Sequence, residues 1–94
     1  MLARAEGDRD RMNNPFMEVR QQLKLRPVDI ATALDVSFMT VRQAEDGRIR
    51  NPRKYAKALE SAGIIESAEH LLEKHRIWLS QIKGEVIEDL KARA

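Results

Sequence analysis

Apolar residues recur along this chain at three- and four-residue intervals and nowhere alternate over a sustained stretch, a pattern that predicts helices and no strands. Asn14-Pro15 reads as a helix start, with asparagine as cap and proline at the first helical position. Phe16, Val19, Gln22 and Leu23 then follow helical spacing to an end near Lys24-Leu25. Pro27 restarts a helix whose apolar residues are Val28, Ile30, Ala31, Ala33 and Leu34, with Asp29 in the first turn, where a carboxylate favours the exposed amides. Arg26 is a poor cap, so this start rests on proline. Beyond Asp35-Val36, Ser37 caps a third helix through Thr40, Val41, Ala44 and Glu45, which Gly47 stops. Asn51-Pro52 is a second Asn-Pro start, and a fourth helix carries Tyr55, Ala56, Leu59 and Ala62 to Gly63.

The last third predicts one long amphipathic helix, roughly from Glu66 to Ala92. Ala68, Leu71, Leu72, His75, Trp78, Leu79, Ile82, Val86 and Leu90 form a stripe about 120° wide at 100° per residue. Gly84 marks a position where this helix can bend or end, and Asp89 falls on the stripe beyond it. The fold class is therefore all-α: a compact bundle of four or five helices followed by a long C-terminal helix. Three segments are expected: a disordered charged arm over residues 1–14, a bundle over residues 15–63, and the C-terminal helix over residues 64–94.

Composition adds limits to this picture. The chain has 94 residues and no cysteine, so disulfides and thiolate metal sites are excluded and the core must be apolar packing. No apolar run has the roughly 18 residues of a membrane span, and the charged start lacks a secretory signal, so a cytoplasmic protein is expected. The net charge of +2 hides an uneven distribution. Residues 40–57 hold Arg42, Arg48, Arg50, Arg53, Lys54 and Lys57 against two acids, whereas residues 58–94 hold five cations against seven acids. A basic middle beside an acidic tail suggests a surface facing a polyanion.

The most informative feature is the pair of short helices around Leu34-Asp35-Val36-Ser37. Two such helices can present the second to a DNA major groove if a small residue permits their close crossing and apolar residues pin the angle. Ala31 is the small residue, and Ile30, Leu34, Val36, Val41 and Ala44 are the pins, leaving Phe38, Met39, Arg42 and Gln43 on the outer face. In Val19-Arg20, Asp29-Ile30-Ala31, the run Val36 to Gly47, the loop Arg48 to Pro52 and the helix Tyr55 to Leu59, the chain resembles the Xre/Cro family of phage-repressor-like helix-turn-helix proteins. The match covers Pro15 to Gly63, about half the chain.

The resemblance implies a sequence-specific, double-stranded DNA-binding transcriptional regulator, a dimeric repressor from a prokaryote, phage or plasmid. It places base contacts at Phe38, Met39, Arg42 and Gln43. Gln43 can pair bidentately with adenine, and Arg42 can reach guanine or a phosphate. Backbone contacts fall to Ser37, Arg48, Arg50, Arg53 and Lys54. It also implies an internal ion pair between Arg20 and Glu45, structural in role. Asp35 stands where the family turn usually carries glycine, and it can adopt the left-handed conformation at some cost.

Two readings of the long stripe remain open. It packs back on the bundle, or it pairs with a second chain through Leu71, His75, Trp78, Leu79 and Ile82, which its length favours. Phe38 and Met39 also allow a second functional class, a protein-interaction adaptor or antitoxin with these two residues as an apolar anchor. His70 and His75 lie five residues apart, about 140° around the helix, unlike the i, i+4 pair of a zinc helix, so no metal is expected. With no nucleophile–base arrangement, phosphate-cradling glycine loop or paired-acid motif, neither enzymatic activity nor a cofactor is expected. Arg4, Arg9 and Arg11 in the arm could follow DNA, but Glu6, Asp8 and Asp10 offset them.

Overall fold

The computed structural model describes residues 13–93 and is all-helical over them. Five helices follow in order: α1 (Pro15–Gln22), α2 (Pro27–Leu34), α3 (Phe38–Asp46), α4 (Arg53–Ser61) and α5 (Ala68–Arg93). The charged arm expected at the start, with Arg4, Arg9 and Arg11, lies outside the described residues except for its end. There the expectation needs correction, because Asn14 is buried and belongs to the bundle.

Each of the four short helices closes in the same way. A residue in the left-handed conformation follows the helix, at Lys24 (φ 59°), Asp35 (φ 55°), Gly47 (φ 78°) and Gly63 (φ 76°). The next amide then reaches back five residues, Leu25 to Arg20, Val36 to Ala31, Arg48 to Gln43 and Ile64 to Leu59, which satisfies a carbonyl the helix end would orphan. After three of these ends the following residue is apolar, and Leu25, Val36 and Ile64 all pack on the core. After α3 it is Arg48, exposed to solvent, so this loop leaves the bundle surface. Only half the left-handed positions are glycine, and Asp35 adopts this conformation without being one.

Four of the five described helix starts use side chains; α4 has no side-chain cap, since Pro52 rather than Asn51 holds the cap position and the Arg53 amide donates to the Asn51 carbonyl at 2.7 Å. Asn14 Oδ1 accepts from the Phe16 amide at 2.8 Å and the Met17 amide at 3.3 Å. At α2, where Arg26 offers no cap, Asp29 reaches back to accept from the Arg26 amide at 3.0 Å and from its guanidinium at 3.0 Å. Helix α5 is started by two groups: Ser67 Oγ accepts from the His70 amide, and Glu60 of α4 accepts from the Ala68 amide at 2.9 Å. This amide is the main reason the Glu60 carboxyl is held below its usual range.

The core is formed by Phe16, Ile30, Val41, Ala44, Tyr55 and Leu59 with Ala68, Leu71 and Leu72 of α5. Phe16 stacks on Tyr55 with centroids 5.1 Å apart and meets His75 edge-on at 5.0 Å. Helices α1, α3 and α4 thus leave one apolar face, which the first half of α5 covers. This corrects part of the expected dimer surface: Leu71 and His75 are buried in the chain's own core and unavailable to a second chain. Trp78 and Leu79 lie over Gly47, and Ile82 is half-buried at the edge of the bundle. Beyond it every described residue from 83 to 93 is exposed. Gly84 neither ends nor interrupts α5, which continues to Arg93. Among the described residues no helix is long and apolar enough to cross a membrane.

Candidate nucleic-acid interface

Helix α3 presents one face to solvent and has its last turn fixed from several directions. On the outer face Phe38 is 43% and Met39 53% exposed, Arg42 is exposed, and Gln43 is half-buried. The Arg42 guanidinium lies 6.0 Å above the Phe38 ring, a cation–π contact that joins the two into one surface element. Ser37 caps the helix, its Oγ accepting from the Met39 amide at 3.1 Å, and stays exposed.

At the other end of α3, Arg20 of α1 grips Glu45 with two parallel bonds, Nε to Oε2 at 2.7 Å and Nη2 to Oε1 at 2.9 Å. A third guanidinium nitrogen donates to the Leu25 carbonyl at 2.8 Å, so the same side chain also fixes the end of α1. The side chains are 14% and 4% exposed, and the Glu45 carboxylate raises the Arg20 pKa above its ordinary value. Burial and the nearby Glu45 charge together push the Tyr55 hydroxyl well above its usual range. The ion pair expected from the resemblance is therefore present as a buried fork.

Two further clamps were not readable as such in the sequence. Asn14, besides capping α1, donates Nδ2 to the carbonyls of Ala44 at 3.0 Å and Glu45 at 2.8 Å. His75 of α5 places Nε2 3.1 Å from the same Ala44 carbonyl, which requires the proton on Nε2. Desolvation is the main influence on His75 and lowers its pKa below 6.5, against smaller opposing effects of the Ala44 and Arg50 carbonyls. The Asn-Pro motif signalled the cap, but nothing local to it signals acceptors 30 residues away.

No family model, no curated protein and no solved structure matches this chain. What the site can do is therefore carried by its own side chains.

The basic residues expected to face a polyanion are not equivalent. Arg48, Arg50 and Lys54 are exposed and have no ion-pair partner among the described residues, as is also true of Arg42. Arg53 instead pairs with Glu69 of α5 at 2.6 Å, both side chains more than half exposed. An exposed pair of this kind is worth at most about 1 kcal/mol and is readily exchanged for another anion. The outer face of α3 and its following loop thus combine two apolar side chains, a glutamine and three cations, with Lys54 in the first turn of α4 as a fourth, none of them ion-paired among the described residues. The fixed last turn allows that face to be presented without a large ordering cost on binding.

Proposed function

We propose that the chain is a sequence-specific, double-stranded DNA-binding transcriptional regulator of the helix-turn-helix kind, acting as a dimeric repressor in the cytoplasm of a prokaryote. The observation that carries this reading is the face of a clamped helix formed by exposed Phe38, Met39 and Arg42 with half-buried Gln43, together with exposed Arg48, Arg50 and Lys54, which have no ion-pair partner among the described residues. In this reading Gln43 and Arg42 read base edges, Phe38 and Met39 contact thymine methyls, and Ser37 with the basic loop grips phosphates. Arg53 joins them by exchanging Glu69 for a phosphate. Occupancy of a promoter by the bound dimer blocks polymerase.

Selection of genomic DNA fragments on the purified protein at near-physiological salt, followed by sequencing, tests this directly. An enriched inverted repeat with half-sites about 34 Å apart is expected. Gln43→Ala should then weaken the selected site more than random DNA, whereas equal losses on both would remove the base-reading assignment.

The exposure of Phe38 and Met39 also favours a second reading, a protein-interaction adaptor or antitoxin anchored through these residues. Salt separates the two. DNA binding falls steeply as salt rises, whereas an apolar contact through Phe38 barely responds.

A further inference from the structure

We propose that α5 carries a second phosphate seat, in which Arg50, Arg76, Ser80 and Lys83 hold a backbone phosphate of the DNA duplex bound at α3. The proposal rests on the DNA-binding reading and gives the C-terminal helix a part in it that neither core packing nor dimerisation supplies.

The seat is an open concavity of about 460 Å³ between the loop after α3 and the third to fifth turns of α5, lined by Arg50, Arg76, Leu79, Ser80 and Lys83. Three cations line it and no carboxylate does. Its neighbour, a concavity of about 280 Å³, shares Arg50 and Arg76 but also contains Arg53, Glu69 and Glu73. There the charges are matched: Arg53 pairs with Glu69, and Arg76 pairs with Glu73. Two turns of one helix therefore differ sharply, one self-neutralised and the next left positive. Neither Arg50 nor Lys83 has an ion-pair partner among the described residues. Arg76 brings a charge already shared with Glu73, whereas Arg50 and Lys83 are left without an acid, and an anion seated beside them relieves their repulsion.

A single phosphate fits the dimensions and the chemistry. Arg76 and Lys83 are two turns apart, about 10 Å along the helix, so side chains leaning inward from both can reach one phosphate between them. The Ser80 hydroxyl, which donates to the Arg76 carbonyl at 3.2 Å, can turn outward as a neutral donor. Leu79 forms an apolar floor, which lowers the local dielectric and strengthens the charge contacts above it. All the cationic donors are exposed, which suits a polymer laid against the surface better than a small anion that needs enclosure. Arg50 belongs both to this seat and to the loop that leaves α3, so a duplex running along α3 past Arg48 meets the flank of α5 next.

The test uses the full chain and a fluorescent random-sequence duplex, with affinity followed by anisotropy from low to near-physiological salt. Each phosphate gripped contributes about one unit to the slope of log affinity against log salt. Lys83→Gln should lower that slope by about one unit, and Lys83→Arg should keep it. Lys91→Gln, the same loss of charge near the end of α5, should leave it unchanged. Lys83 is exposed, so its variants fold as the parent does. If Lys83→Gln and Lys91→Gln leave equal slopes, the seat is overturned while the DNA reading stands. A parent chain that binds no duplex overturns both.

Discussion

Three buried polar side chains, Glu45, Asn14 and His75, have exchanged water for partners at the end of α3, and each is sensitive to a different change. Glu45 is matched by a guanidinium fork. Removing it by Glu45→Ala would leave Arg20 charged and largely buried, a loss of about 3–5 kcal/mol. His75 is buried neutral, so the unfolded chain takes up a proton that the folded chain resists. Its folded pKa lies below the unfolded value of 6.5, so its contribution is complete above that pH and is lost as pH falls through the folded pKa. For one proton the slope is at most about 1.4 kcal/mol per pH unit. Urea melts should therefore show a midpoint flat from pH 8 to 7 and falling below about 6.5, before the lowered carboxyls of Asp29, Glu60 and Glu73 titrate at more acid pH. In His75→Gln, whose amide can still donate to the Ala44 carbonyl, the decline between neutral pH and about pH 5 should vanish. A decline of equal steepness in that variant would show that another group is responsible.

For whole elements, the question is how short helices of eight and nine residues hold their places. Isolated helices of this length are marginal in water, so their ends and contacts decide. Asn14 serves two ends at once, the first amides of α1 and the last carbonyls of α3. Asn14→Ala removes a cap worth about 0.5–2 kcal/mol and leaves buried carbonyls poorly satisfied for a further 1–3 kcal/mol or so. Asn14→Asp restores the cap but not the donated bonds, so it should recover only part of the loss in the same denaturation experiment.

The two glycine ends separate backbone strain from packing. At Gly63 an added Cβ meets nothing within 4 Å, whereas at Gly47 it would lie 2.9 Å from Trp78 and 3.2 Å from Leu79. Gly63→Ala should therefore cost only the left-handed strain, about 1–2 kcal/mol. Gly47→Ala should cost that plus about 1–3 kcal/mol of displaced packing, and it should quench or shift Trp78 fluorescence, which Gly63→Ala leaves alone. Equal costs at both sites would mean that α5 does not rest on Gly47 as described.

These elements also mark the limit of what local sequence can say. Caps, prolines and apolar spacing made all five helices legible, and the order of apolar and polar residues on α3 placed Phe38, Met39 and Arg42 outside. The left-handed ends at Lys24 and Asp35 are harder to read, because a non-glycine residue there is set by the apolar residue that follows and must reach the core. The second role of Asn14 and the landing of Trp78 on Gly47 depend on partners some 30 positions away, and spacing carries no record of them. The site was legible in its types of residue, but the pairing of Arg53 with Glu69 was not, since a charge run does not reveal which cations are already neutralised.

The molecule as a whole is longer than its bundle requires. The greatest extent of the described residues is 45 Å, and α5, with 26 residues, accounts for about 39 Å of helix. One half of its stripe closes the core, and the other carries Ile82 to the edge and then Val86 and Leu90, 52% and 58% exposed, into solvent. A dimer as proposed above must use this free half. Three aliphatic side chains per chain bury far less than the roughly 1,600 Å² of a standard interface, so the free protein should associate weakly. An operator with two-fold symmetry would complete the pairing by raising the effective concentration of one chain at the other. Sedimentation velocity should show monomers at low concentration and reversible dimers at high concentration. Val86→Glu with Leu90→Glu should abolish dimers without moving the melting midpoint of the monomer, because neither side chain contributes to the core. Leu71→Ala should do the opposite, costing about 2–5 kcal/mol of stability as a cavity in the bundle while any folded fraction still associates. If the double variant sediments as the parent does and binds the selected DNA with the same stoichiometry, the second chain is recruited through another surface, and the free end of α5 has no part in pairing.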